Sequence, residues 1–244
     1  MLISVPDTSY RCPPGPYERA SLFAAFLQAH KPGARLIALD AKDKFSKQAL
    51  FTEGWAALYP DVLRWVGFSD NGGITKVDAA AMTVETAFET FKADVINIIP
   101  PQKAGALAIS AGLTGQGDWC AVDPASFESA VMPGVHALGD AITAGDMPKS
   151  GTVASSQARI CAHALAALLS GAKPAAPTLI NTCYSFVAPD YAVSVSEVFR
   201  PDESGAIKTL EKGLSPTAGS AELHRQEAAY ARAWYQSITA TMFG

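Results

Sequence analysis

A chain of 244 residues, 49% hydrophobic and 17% charged, holds enough apolar material for one large packed core or two smaller ones. Its formal net charge of -4, with no cluster of lysines and arginines, gives no electrostatic footprint for nucleic acid. No apolar run reaches the roughly 18 residues that a membrane helix needs, and the start "MLISVPDTSYRC" lacks the charged head and apolar run of a signal peptide.

The N-terminal part alternates in an α/β rhythm. The stretch "SYRCPPGPYERASLFAAFLQAH" outlines a strand, a tight turn and a helix, and the spacing predicts a helix over 17–29 with Leu22, Phe23, Phe26 and Leu27 on one face. After the Pro32-Gly33 break, "RLIALD" reads as a buried strand, "SKQALFTEGWAALY" as a helix and "DVLRWVGF" as another strand. The run "ITKVDAAAMTVETAFETFKADVINIIPP" has the punctuation of short antiparallel strands closing on an apolar strand over 93–99. A helix is expected near 103–110, a strand at "GVHALGD", a long helix over 150–169, and a linker at "SGAKPAAPT". Two strands, "TCYSFVAP" and "YAVSVSEVF", then precede a final amphipathic helix in which Leu223, Tyr230, Trp234, Ile238 and Met242 recur at helical spacing. The order gives an α/β fold with an α+β tail.

The first turn has the shape of a phosphate loop without its chemistry. Such a loop grips an anion with successive backbone amides, and Pro13, Pro14 and Pro16 have none. What the turn does carry is Cys12 just ahead of a helix start, where the helix dipole is expected to lower the thiol pKa. Glu18, one turn on, stands where it can move a proton; the plainer alternative is a buried cysteine and a dipole-compensating glutamate. An apolar strand ending in Gly139-Asp140 is expected to set a carboxylate at the ligand edge of the sheet, and the helix opening at Ser150 to turn its positive end toward the same place. The alternative is an ordinary strand-turn-helix.

The cysteines, at 12, 120, 161 and 183, and the histidines, at 30, 136, 163 and 224, form no CxxC, zinc-ligand pair or CxxCH. Cys120 and Cys161 read as core residues. Cys183 has no local partner; a bridge to Cys12 fits a catalytic role as well as a structural one. No GxGxxG occurs, so the chain carries no dinucleotide fingerprint.

Taken together, "YRCPPGPYERAS", "FSKQALFTEGW", "AMTVETAFETFKADVINIIPPQKAG", "DWCAVD", "FESAVMPGVHALGDA", "MPKSGTVASSQA", "NTCYSFVAPDYAVSVSEVFRP" and "WYQSIT" resemble, in order, the flavoprotein subunit of flavocytochrome c sulfide dehydrogenase (sulfide–cytochrome c reductase), within the pyridine nucleotide–disulfide oxidoreductase group. The resemblance implies an α/β FAD/NAD(P)-binding, disulfide oxidoreductase-like fold with an α+β C-terminal domain. It also implies a chain truncated at the N-terminus, beginning after the family's Rossmann ADP-binding unit, which supplies the adenosine-diphosphate half of the FAD site. The corresponding divisions are 1–101 for most of a pseudo-NAD-binding domain, 102–175 for the returning part of the FAD-binding domain, and 176–244 for the C-terminal domain.

By the same resemblance, Cys12 and Cys183 correspond to the redox-active disulfide and Glu18 to the acidic residue beside it. Asp140 corresponds to the flavin-binding aspartate, with Gly139 allowing close approach; Lys149 and Ser150 fall at the pyrimidine end of the ring and Trp234 near the isoalloxazine. The implied activity is oxidation of hydrogen sulfide through the disulfide and FAD, with electrons passed to a c-type cytochrome in the periplasm. Two alternatives stand beside it: an NAD(P)H-dependent disulfide or quinone reductase, and an inactive folded module able to self-associate.

Overall fold

A computed structural model describes residues 1–7 and 9–244. In chain order the N-terminal elements are β1 (Leu2–Val5), α1 (Gly15–His30), β2 (Leu36–Asp40), α2 (Gln48–Leu58), β3 (Leu63–Val66), α3 (Phe68–Asn71), β4 (Ile74–Asp78), β5 (Thr83–Thr86), β6 (Thr90–Lys92) and β7 (Ile96–Asn97). β1, β2, β3 and β7 form a parallel sheet in the order β3-β2-β1-β7. Every residue of β1 is buried, as a parallel strand covered on both faces requires. β4, β5 and β6 form an antiparallel meander; Val84 and Phe91 from it pack with Leu2, Leu39 and Val66.

α1 turns its small residues inward. Tyr17, Ala20, Ser21 and Ala24 face the core, where the Ser21 hydroxyl accepts a hydrogen bond from Trp55 Nε1 at 2.7 Å. Leu22 and Phe26, placed by their spacing on an apolar face, are instead 42% and 56% exposed. The inward face is chosen by an aromatic cluster, in which Tyr17 stacks on Phe45 with ring centroids 3.7 Å apart and Phe51 and Trp55 close around them. Small residues on α1 let that cluster reach the helix.

The rest of the chain contains α4 (Ala106–Ser110), β8 (Cys120–Ala121), β9 (Ile142–Thr143), α5 (Gly151–Leu169), β10 (Leu179–Ala188), β11 (Tyr191–Pro201), β12 (Ile207–Leu214) and α6 (Ala221–Phe243). β10, β11 and β12 make an antiparallel sheet in that order. It packs into both halves of the molecule: Val187 and Val193 join the core of α1, α2 and the parallel sheet, while Leu179, Phe199 and Ile207 join a second core with Phe127, Ile142 and Val153. Among the described residues no helix is long and apolar enough to cross a membrane.

Three local expectations are corrected. "GVHALGD" is not a strand: it makes one isolated bridge, Glu128 to His136, and Gly139–Ala141 is a turn of 3-10 helix that precedes β9. Asp140 therefore precedes a short strand and does not end a longer one. β12 is an additional strand, concealed by its composition; only Ile207 is buried, and Lys208 and Lys212 stand on the exposed edge, where charge deters pairing with other chains. α6 docks by His224, Glu227, Ala228 and Ala231, not by its aromatic stripe. Glu227 accepts hydrogen bonds from Ser194 at 2.8 Å and Ser215 at 2.7 Å, and His224 stacks on Tyr191. Two hydroxyls and a ring thus outweigh Tyr230 and Met242, which stay exposed.

Candidate functional site

Cys12 is held in the left-handed region, φ +54°, which costs a non-glycine residue about 1–2 kcal/mol. Two short hydrogen bonds enforce it: its N–H donates to the Lys149 carbonyl at 2.6 Å, and its carbonyl accepts from Gly15 N–H at 2.7 Å. The sulfur consequently lies over Gly15, where an added Cβ would approach it to 3.0 Å. An alanine there would require the Cys12 side chain to give way by a few tenths of an ångström. Strain stored where a reactive group is aimed is a common mark of a working site.

The sulfur opens onto a cavity of about 590 Å³ lined by Cys12, Glu18, Cys183, Phe186, Arg232 and Trp234. This brings the first turn of the chain together with β10 and α6. Glu18 ties α1 to β10, its Oε1 accepting from Phe186 N–H at 2.8 Å. Trp234 packs on the start of α5: a Cβ on Gly151 would lie 3.4 Å from its ring. Ser150 caps α5, accepting from Val153 N–H at 3.2 Å and donating to Asn181 Oδ1 at 2.8 Å.

Cys12 also lines a wider cavity of about 810 Å³, shared with Arg19, Asn97, Lys103, Trp119 and Asp140. Gly139, at φ +70°, brings its backbone close to α5 and donates to Gln157 Oε1 at 2.7 Å. Lys149 immediately precedes the Ser150 cap of α5. Its ammonium is buried, bonded to the Ile142 carbonyl and seated 3.7 Å above the Trp119 ring. Burial holds its pKa below the usual lysine range, and its own carbonyl buckles the Cys12 turn.

One residue of the site was not recognised from the sequence. Lys47, the N-cap of α2, is 6% exposed and left-handed at φ 62°. Its ammonium donates to the Cys183 carbonyl and to Ser185 Oγ, each at 2.8 Å, and lies 3.7 Å from Cys183 Sγ. In "SKQALFTEGWAALY" it falls inside the expected helix.

Cys12, Cys183, Glu18 and Lys47 titrate as neighbours. The Cys12 thiol is exposed at the cavity wall, yet the surrounding protein pushes it up to about 11, first by desolvation and then through Cys183 and Glu18, with Lys47 opposing. Where the helix end alone was expected to lower it, the thiol is instead raised, by loss of water and then by Cys183 and Glu18 beside it. Burial likewise raises Cys183, opposed by Lys47, and raises the Glu18 carboxyl, opposed by the Phe186 amide and Lys47. Burial lowers Lys47, while Cys183 and Glu18 pull it back up. Such clusters of perturbed groups in a cleft are characteristic of functional sites. All four cysteines are thiols in this structure; Cys120 and Cys161 are buried in the second core. Among the described residues no metal-ligating cluster is present.

Comparison with known proteins gives two family matches. Residues 1–100 match "Sulfide dehydrogenase [flavocytochrome c] flavoprotein chain, central", and residues 175–243 match "Flavocytochrome c sulphide dehydrogenase, flavin-binding". Among solved structures, a chain of the Tetrahymena thermophila mitochondrial ATP synthase superposes with a TM-score of 0.59 at 14% identity, covering 81% of this chain and 50% of that one. An engineered water-forming NADPH oxidase bound to NADPH gives a TM-score of 0.43 at 15% identity, covering 93% of this chain and 57% of that one. The chain therefore spans about half the length of the solved chains it matches, and the likeness to the first is one of fold. With a central segment and a flavin-binding segment of the same flavoprotein in their proper order, the chain belongs to the flavocytochrome c sulfide dehydrogenase flavoprotein family.

Proposed function

We propose that this chain carries the sulfide-oxidising half of a flavin-dependent sulfide dehydrogenase, with Cys12 and Cys183 as its redox pair. The observation that carries the reading is the cavity shared by Cys12, Glu18 and Cys183, drawn from opposite ends of the chain. Hydrosulfide attacks one sulfur of the oxidised pair. The S–S bond breaks, the attacked cysteine becomes a persulfide, and the other leaves as a thiolate. Glu18, whose carboxyl is raised by burial, takes the proton from the new persulfide.

The wider cavity fits the flavin half of FAD. Its volume, about 810 Å³, lies within the roughly 300–1,000 Å³ usual for bound cofactors and ligands. Asp140 lines it and supplies a carboxylate for ribityl hydroxyls, with Gly139 beside it, whereas Ser150 and Trp234, the other expected flavin contacts, line the 590 Å³ cavity that Cys12 shares with it. When bound, FAD supplies an acceptor that takes electrons in pairs and releases them singly, as a haem partner requires. A c-type cytochrome as acceptor, and an oxidising periplasm as the place of work, follow from this reading.

Nicotinamide chemistry is less well supported. A dinucleotide fold offers an acid to the ribose at the end of its second strand. Here that acid, Asp40, is 1% exposed and accepts from Tyr17 OH at 2.6 Å, Trp65 Nε1 at 2.9 Å and Lys42 Nζ at 2.8 Å.

The test is anaerobic titration of the FAD-supplemented protein with sulfide, and separately with NADH, followed by visible absorption. Bleaching of the flavin bands by sulfide alone is expected. Bleaching by NADH with none by sulfide overturns the proposal.

A further inference from the structure

We propose that Lys47, anchored by Ser185, is the counter-charge that Cys183 meets when it becomes a thiolate, making Cys183 the leaving sulfur and Cys12 the sulfur that receives hydrosulfide. Its consequence for catalysis rests on the function proposed above, but the lysine–thiolate pairing does not.

The argument begins with an unbalanced charge. Lys47 is buried, and among the described residues its ammonium has no carboxylate within ion-pair distance; its oxygen partners are the neutral Cys183 carbonyl and Ser185 hydroxyl. A buried cation normally has a counter-charge. The sulfur 3.7 Å away is the group in direct contact that can provide one, with the Glu18 carboxylate acting from beyond ion-pair distance. The backbone is also distorted to place it: Lys47 occupies the left-handed region at an N-cap and makes no side-chain cap hydrogen bond there. An asparagine or glycine would sit there more easily. The conformation turns the ammonium under β10, against Cys183 and Ser185.

The two sulfurs are therefore unequal. Cys183 is half-buried on β10 and has the ammonium beside it. Cys12 is exposed and lines both cavities. The other titratable or charged groups around Cys183 are Glu18 on α1, Cys12 on the first turn, Tyr184 next in the chain, and Arg232 and Tyr235 on α6. Glu18 disfavours an anion on either sulfur and Lys47 favours one on both, but the ammonium is within hydrogen-bond distance of Cys183 alone, and that contact makes the difference between them. When the bridge opens, negative charge collects on the sulfur beside the ammonium, and the incoming sulfur bonds to the other. One S–S bond is exchanged for another, and no external oxidant or reductant enters this step.

The test uses the reduced full chain and needs no flavin. Alkylation of Cys183 and Cys12 by iodoacetamide is followed by peptide mass spectrometry across a pH series, for the wild type, Lys47→Met and Lys47→Arg. Lys47→Met is expected to slow Cys183 alkylation about tenfold below its titration midpoint and to raise that midpoint by about one pH unit. Lys47→Arg restores most of the rate, and Cys12 changes much less. Coincident Cys183 profiles for wild type and Lys47→Met overturn the proposal, as does an equal shift at both cysteines. If Lys47→Met does not fold, Lys47→Gln is read in its place; no rise of the Cys183 midpoint there refutes the pairing. A shifted profile in a protein that forms no persulfide with sulfide leaves the pairing intact and removes the proposed function, so the two failures are distinct.

Discussion

Asp40→Ala removes the acceptor at the centre of the N-terminal core. Tyr17 is fully buried and gives Asp40 its hydroxyl at 2.6 Å; Trp65 gives its indole N–H at 2.9 Å. Each donor left without an acceptor costs about 1–3 kcal/mol. Lys42 suffers less: it already donates to the Pro6 carbonyl at 2.9 Å, and its side chain retains 14% exposure. The expected loss is about 3–5 kcal/mol. At roughly 2–4 °C per kcal/mol for a chain of this size, the melting temperature falls by about 6–20 °C. Thermal unfolding followed by circular dichroism measures it. Tyr17→Phe deletes one of the stranded donors, so the double variant should be less destabilised than the sum of the singles by about 1 kcal/mol or more. A fall below about 1 kcal/mol for Asp40→Ala, or strict additivity of the pair, refutes the view that Asp40 is committed internally.

Glu18→Gln changes the pH dependence of stability. Burial raises the Glu18 pKa above its ordinary 4.5, so its favourable contribution is fully present below that value and is lost as pH rises through the raised value. Melts on either side of this range should show the wild type losing more stability with rising pH than Glu18→Gln; parallel curves contradict the assignment. Gly54→Ala in α2 would put a Cβ 2.7 Å from Val187 Cγ1, where overpacking costs about 1–3 kcal/mol. An unchanged midpoint in urea would mean that β10 can move away from α2 freely.

The parts legible in the sequence are those governed by local rules. The apolar runs of β1, β2 and β3, the helix α2, and α5 with its Ser150 cap all follow from periodicity and end signals. β12 was not legible because an edge strand with one buried residue has little hydrophobic pattern. The docking face of α6 was missed because buried hydroxyls on β11 and before α6, reaching Glu227, decide it. Asp140 was assigned to the wrong kind of element because a short 3-10 turn and an isolated bridge have no period to read. At the site, Cys12 and Glu18 stood out from the turn and the helix start, but their grouping with Cys183 and Trp234 came from family resemblance, since no spacing rule joins the first turn to β10 and α6. Lys47 lay beyond both approaches; its meaning comes from burial against β10, a tertiary fact.

Peptide mapping of the air-oxidised protein, before and after anaerobic sulfide, tests the central claim most directly. The account predicts one linked peptide joining Cys12 to Cys183, and, after sulfide, opening of that link with one added sulfur atom on Cys12. Cys12 and Cys183 remaining separate thiols after oxidation, or a link that sulfide leaves intact, would contradict it.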